Sequence, residues 1–290
     1  MALSPSHRFG QIIGDLLEIA MFEPLQEIAI EFGLYLDYKH LRPARGGKKV
    51  TWSDSKKNKH DLDYVLEEGG SETVRGRPKA FIETAWRSYT KHSRNKAQEM
   101  QGAIQPLAET YSDCHPFLGV VLAGQFTAGS LNQLISHGFH ILFYPYETIV
   151  ELFEKVGIDA RFDEDTPDIE VQAKVDAYIA LDESNKQRLV ASFRDVRQSE
   201  LKVFLDGLRI VLERSIEFVH ILPLHGIPIQ VLSVEDAITF ISGYKKVKAL
   251  NSFVRFEVNV RYTNGNEIRG QFNDKVTAIE FLRKIVPITG

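Results

Sequence analysis

Two acids in the first third of the chain stand where they could hold a hard divalent cation. Asp63 lies in HDLDYVLE and Glu83 in AFIETAW, separated by a Gly- and charge-rich stretch from Glu67 to Pro78. If the two segments pair as a hairpin, both carboxylates meet at one edge of a sheet. Oxygen ligands at that separation suit Mg²⁺, which binds through one or two carboxylates and keeps several waters. The backbone carbonyl of Thr84 is a further candidate ligand. A cation held there can polarise a phosphodiester and lower the pKa of an attacking water. Asp61 shares a strand face with Asp63 and competes with it as the ligand, and Glu18 is a candidate distal acid. Acids on neighbouring strands are ordinarily just solvated. Glu83, however, stands between Ile82 and Ala85-Trp86 in a segment that reads as a central strand, where an acid needs a partner.

The elements that must carry these residues follow from periodicity. Leu62, Tyr64 and Leu66 alternate with Asp61, Asp63, Val65 and Glu67, which predicts one strand over 60–67. A second strand runs from Ala80 to about Trp86. Ala97, Met100, Ile104, Leu107, Ala108 and Tyr111 are spaced for one buried face of a helix over roughly 93–111. Phe117–Ala123 is a continuous apolar run suited to a strand buried on both faces. A helix over 127–137 stopped by Gly138, a strand over 139–144 and a helix over 148–156 ending at Gly157 complete the series. The order β-β-α-β-α-β-α predicts an α/β fold, a mixed sheet sandwiched by helices.

Upstream, residues 7–32 read as helical, with Pro24 expected to break or kink the segment. Downstream, the acidic run DEDTPD (163–168) marks a boundary. Residues 169 to about 219 read as helical, including an amphipathic stretch from Gln198 to Phe218. A small α+β unit then opens at Gly226 and Pro228. Its expected parts are a strand over 227–232, a helix over 234–242 entered through Ser233 and Asp236, strands over 254–262 and 267–272 joined at Asn264-Gly265, and a helix over 274–286. The expected domains are therefore 1–162, 163–225 and 226–290.

Composition narrows the function classes. No apolar run approaches the roughly 20 residues that cross a bilayer, and MALSPSHRFG lacks the layout of a secretory signal, so a cytoplasmic protein is expected. One cysteine, Cys114, excludes an internal disulfide framework and a multi-cysteine zinc site. His137 and His140 have no zinc-site spacing. The formal net charge is −4, so affinity for nucleic acid has to come from local patches. Lys39–Lys59 supplies one, with eight basic residues against a single acid, Asp54. Within it Lys48, Lys49, Lys56 and Lys57 are candidate phosphate contacts. A second patch, Arg87, Lys91, Arg94 and Lys96, flanks the candidate chemistry.

With Asp63, Glu83, the 93–111 helix and the alternating elements to 157, the sequence resembles the PD-(D/E)XK nuclease superfamily, which includes most type II restriction endonucleases. The resemblance covers about 150 residues. It implies a restriction-endonuclease-like core, Mg²⁺ held by Asp63 and Glu83, cleavage of double-stranded DNA, and a homodimer whose two-fold matches a two-fold DNA site. It also implies a lysine two places after the glutamate, where this chain has Ala85. The resemblance allows that lysine to migrate onto the following helix. From Glu83 to a strand end near Trp86 is about 10 Å at 3.3 Å per residue. Returning along a helix that begins near Ser93 takes roughly seven residues at 1.5 Å each and lands at roughly 96–100, where Lys96 lies at the border of the apolar stripe; Lys91, in the preceding turn, is second. A repair or junction-resolving nuclease and a catalytically silent DNA-binding relative are the rival expectations.

Overall fold

In the computed structural model, residues 4–89, 93–224, 226–244 and 255–285 are described, with the side chains of residues 93 and 94 left aside. Ser4 opens the first helix. Its Oγ accepts the His7 N–H at 3.3 Å, and Pro5 occupies the first turn, where its missing N–H leaves no bond unmade. The resulting α1 (Pro5–Glu31) buries Phe9, Ile13, Leu16, Leu17 and Ala20 along one side. Of the break or kink expected at Pro24, the break is absent, and the helix continues through it. The proline is buried beside Met21, Leu25 and Ile28, and that packing offsets the lost backbone bond. Gly10 and Gly14 each cost such a helix about 1 kcal/mol relative to alanine.

After β1 (Tyr35–Asp37) comes a single 3-10 turn, Pro43–Arg45. The basic stretch then forms an antiparallel pair of its own, β2 (Val50–Ser53) with β3 (Lys59–Leu62), Val50 opposite Leu62. The alternating segment expected as one strand is divided at Asp63. There β3 ends, and β4 (Tyr64–Glu68) begins one residue later between new neighbours, β1 on one side and β5 (Arg77–Arg87) on the other, both antiparallel. Because β4 is interior to its sheet, Tyr64, Val65, Leu66 and Glu67 are all buried, and alternation is lost there.

The remaining elements of the sheet follow the expected order. They are α2 (Ser93–Thr110), β6 (Phe117–Gly124), α3 (Ala128–Ser136), β7 (His140–Pro145) and α4 (Tyr146–Glu154). Strand order is β1-β4-β5-β6-β7, with β5, β6 and β7 parallel, as crossovers through α2 and α3 require. The fold is α/β with a mixed sheet and flanking helices. Phe9 of α1 meets Phe153 of α4 at 5.4 Å between ring centroids, and α2 packs against α3.

The helical segment is not a domain by itself. Helices α5 (Asp168–Ile179) and α6 (Glu183–Val196) pack on α1, and the first compact unit comprises residues 1–110 and 116–209. Helix α7 (Gln198–Leu212) ends earlier than expected, and residues 216–219, expected to be helical, belong to a strand, β8 (Ile216–Pro223). The turn between them contains neither Gly nor Pro, so the apolar pattern runs on unpunctuated. Ile216, Phe218, Val219 and Ile221 are β-branched or aromatic and favour the strand.

The second unit therefore starts at Ile210 rather than 226 and also includes Tyr111–His115. Arg214 donates to the carbonyls of Cys114 and His115, the latter at 2.7 Å, which ties that short loop in. Its sheet has the order β11-β10-β8-β9, with β9 (Ile229–Val231), β10 (Phe256–Tyr262) and β11 (Glu267–Phe272). Val219, Ile221, Val258 and Val260 pack with Ala237 and Ile241 of α8 (Val234–Gly243) and with Ala278 and Leu282 of α9 (Lys275–Ile285). Among the described residues no helix is long and apolar enough to cross a membrane.

Candidate active site

The register of β4 against β5 pairs Tyr64 with Ile82. Asp63 directly precedes Tyr64 and Glu83 directly follows Ile82, so the two acids come next after the last pair of that ladder. Asp63 is fixed by Thr84, whose N–H and Oγ1 both donate to its Oδ2, at 2.6 and 2.8 Å. Thr84, expected to offer its carbonyl as a ligand, thus has a visible role in orienting the acid. Glu83 has no such support. Among the described residues its Oε2 is buried without a hydrogen-bond partner. Burial pushes the Glu83 carboxyl well above the ordinary range, and the negative charge of Asp63 pushes it further. Burial also raises Asp63, against the two Thr84 hydrogen bonds.

Lys96 lines the same cleft as Asp63 and Glu18. Its side chain is 19% exposed and its Nζ lies 3.4 Å from Glu99 Oε2. Its positive charge opposes the upward shifts of both Asp63 and Glu83. Glu18 joins the same group from α1. Burial, then repulsion from Asp63, raises its pKa to about 7, with Lys39 acting in the opposite direction. Tyr64 Oη donates to the Glu18 carbonyl at 2.6 Å and pins α1 to β4 beside the acids. Asp61, the rival to Asp63, points elsewhere. It is 47% exposed and held by Lys49 Nζ at 2.7 Å and Thr51 Oγ1 at 2.6 Å.

A cleft of about 650 Å³ opens over this group. Its lining includes Glu18, Asp63, Thr84, Ala85, Lys96 and Glu99, with His7, Gly10, Gln11 and Gly14 of α1 and Trp86, Arg87, Ser88, Tyr89 and Asn95, whereas Glu83 lies behind it. Arg87, expected at the DNA interface, is therefore a cleft residue, with one guanidinium nitrogen 3.2 Å from the Trp86 carbonyl and another 3.5 Å from Glu99. Lys48, Lys49, Lys56 and Lys57 are exposed on and around the β2–β3 pair. Lys91 and the side chain of Arg94 lie outside the described residues.

Two features were not anticipated. Lys39, counted only as part of a basic stretch, acts electrostatically on Glu18 and Asp63. Arg42 and Arg45 of the same stretch turn inward. Arg42 is fully buried with Asp37 and Glu67, at 2.8 and 2.6 Å, and Arg45 reaches Asp37 at 3.1 Å. The α1 face of the cleft had a sequence signal. His7, Gly10, Gln11, Gly14 and Glu18 recur at helical spacing as a polar and glycine stripe on an otherwise apolar segment.

Among the described residues no group of three or more His, Cys, Asp or Glu side chains is arranged to hold a metal ion. Mg²⁺ does not need one, since one or two carboxylates suffice when waters and substrate phosphate complete the shell. The unpaired Oε2 of Glu83 beside Asp63 fits that donor set, because a buried acceptor without a donor is costly unless a cation or proton satisfies it.

No protein-family model matches the chain, and no curated protein matches it. Among solved structures it is similar to a protein of unknown function, AF1548, with 12% identity over 65% of this chain and 97% of that one. The TM-score is 0.28, too low to carry an argument about fold or function.

Proposed function

We infer that the chain is a Mg²⁺-dependent endonuclease that hydrolyses phosphodiester bonds of double-stranded DNA, on a core of the PD-(D/E)XK type. The observation that carries the reading is the buried oxygen of Glu83, unpaired among the described residues and within the electrostatic influence of Asp63 and Lys96. Asp63 and Glu83 would hold the metal. Bound there, Mg²⁺ would supply charge to the scissile phosphate and a more acidic water. Thr84 keeps Asp63 aimed by two hydrogen bonds. Lys96 brings positive charge to the same face of the sheet, where it would steady the negative charge that develops on the phosphate. Arg87 and the exposed lysines around β2 and β3 would meet neighbouring phosphates. A type II restriction enzyme acting as a homodimer is the form this reading takes.

A second reading, a DNA-binding relative without activity, is favoured by Ala85, which stands where the superfamily pattern has its lysine. Incubation with supercoiled plasmid separates the two. The wild-type protein is expected to cut in Mg²⁺ and not in EDTA, while Asp63→Ala and Glu83→Ala abolish cutting yet still bind DNA in Ca²⁺. Cutting by either variant at near wild-type rate would overturn the site assignment.

A further inference from the structure

Both glycines on the cleft face of α1 weaken the helix, and only one has a reason inside the protein. A Cβ at Gly10 would come 3.3 Å from Cδ1 and 3.6 Å from Nε1 of Trp86, so Gly10 lets the indole approach. A Cβ at Gly14 would meet nothing within 4 Å. Gly14 has an ordinary helical backbone, so neither packing nor a left-handed conformation accounts for it. What lies in front of it is the cleft, with Glu18 and Asp63 on one side and His7, Gln11 and Trp86 on the other.

The geometry points to the Gly14 face of α1 as the wall along which the strand being cut lies. The inference rests on the nuclease reading and names which part of the substrate the cleft takes: the sugar-phosphate backbone of one strand, with the partner strand outside. Three observations converge on it. Asp63, held by two hydrogen bonds from Thr84, and Lys96 both line the cleft and mark one end of the space for a cation and its phosphate. The cleft volume lies within the roughly 300–1,000 Å³ of sites that enclose a small molecule, a space for a nucleotide and not for a duplex. Finally, the polarity changes along α1. Glu18 follows Gly14 on the helix, whereas His7 and Gln11 precede it, and the lining also holds the donors Arg87, Ser88 and Asn95 beside one further acid, Glu99, 3.5 Å from Arg87, where the next phosphate of a strand would take its place. A side chain at position 14 would fill the space between these ends. Gly14 is a wall residue and touches no reacting atom.

The test is a size series, Gly14→Ala, Gly14→Gln and Gly14→Leu, set against Gly102→Leu. Gly102 is the control because it too lies inside a helix, is exposed, and does not line the cleft, and a Cβ there would also meet nothing within 4 Å. All four variants replace glycine by a better helix former, so thermal midpoints should hold or rise. Affinity for a fluorescein-labelled duplex pool of randomised sequence, measured by anisotropy in Ca²⁺, should fall with size at position 14. Plasmid cleavage in Mg²⁺ should fall in parallel, at least tenfold for Gln and Leu, and stay unchanged for Gly102→Leu. Should Leu fail to fold, the polar Gln variant fills the same space. Wild-type affinity and cleavage in a folded Gly14→Gln or Gly14→Leu protein would overturn the wall and leave the nuclease reading intact. A wild-type protein that neither binds the pool nor cuts plasmid overturns both.

Discussion

The first compact unit contains two buried groups of acids, and the chain treats them in opposite ways. Asp37 and Glu67 are fully buried and fully matched. Arg42 spans both, donates to the Ser71 carbonyl at 3.0 and 2.8 Å and to that of Val74 at 2.8 Å, and lies 4.3 Å from the Tyr35 ring centroid. Glu67 also accepts the Gly76 N–H at 2.7 Å. Asp63, Glu83 and Glu18 are drawn together with no arginine among them. Their pKa values are raised, and one oxygen of Glu83 has no partner. A matched cluster fixes the chain, since every charge has its counter-charge within the protein. The unmatched cluster stores a demand for positive charge that only a proton or a ligand can meet.

The comparison breaks most visibly through stability. Arg42→Ala strands two buried carboxylates and should destabilise the protein by about 3–5 kcal/mol, read from urea unfolding without divalent metal. Glu83→Gln, in the same assay, should leave stability unchanged or raise it, because the carboxylate it replaces is unmatched. A large loss with Glu83→Gln would mean that the second cluster is structural too. Next in size is the contribution of Lys96. Lys96→Ala should slow single-turnover cleavage by about 10²- to 10³-fold while Lys39→Ala costs less than about tenfold, because Lys39 is exposed and is not among the residues lining the cleft. Ala85→Lys in the Lys96→Ala background should restore part of the rate. Equal sensitivity to the two lysines would place the working cation on the other side of the acids.

The smallest effect is on pH dependence. Glu18 keeps its proton to about 7 in the folded chain against 4.5 as the ordinary value. The folded state therefore binds more protons than the unfolded state between those limits. Stability contributed through this group falls as pH rises from about 4.5 to 7. Without metal, the thermal midpoint should decline over that window, and Glu18→Gln should decline less. Identical slopes would show that Glu18 titrates normally.

Much of this was legible in advance, for physical reasons that differ by residue. Strand β6 announces itself because Phe117–Gly124 is buried on both faces, whereas β7 is half-exposed in alternation and is marked by its apolar run after Gly138. That the start of α2 returns to the acids was readable because strand and helix rises limit how far the chain travels, and Lys96 does line the cleft with Asp63. The change of partner at Asp63 could not be read, since alternation continues through it and only pairing distinguishes β3 from β4. Arg42 and Arg45 were hidden among lysines. Their partners Asp37 and Glu67 are identified by the fold, and nothing local separates an inward arginine from a solvated one. Strand β8 was lost because apolar residues continued across a turn without Gly or Pro.

Helix α1 has a consequence for the order in which the cleft is made. Its outer face lines the cleft, and its opposite side is buried with help from α5 and α6, more than a hundred residues later in the chain. Glu23 and Glu31 are also tied to Arg194 and Arg209. During synthesis at roughly 5–20 residues per second, α1 leaves the ribosome on the order of ten seconds before the helices that will cover it. The first wall of the cleft to be translated is thus among the last to be held in place. A nascent chain that stops short of Asp168 carries Glu18, Asp63 and Glu83 together with a helix that has met β5 and Phe153 but still lacks the cover of α5 and α6.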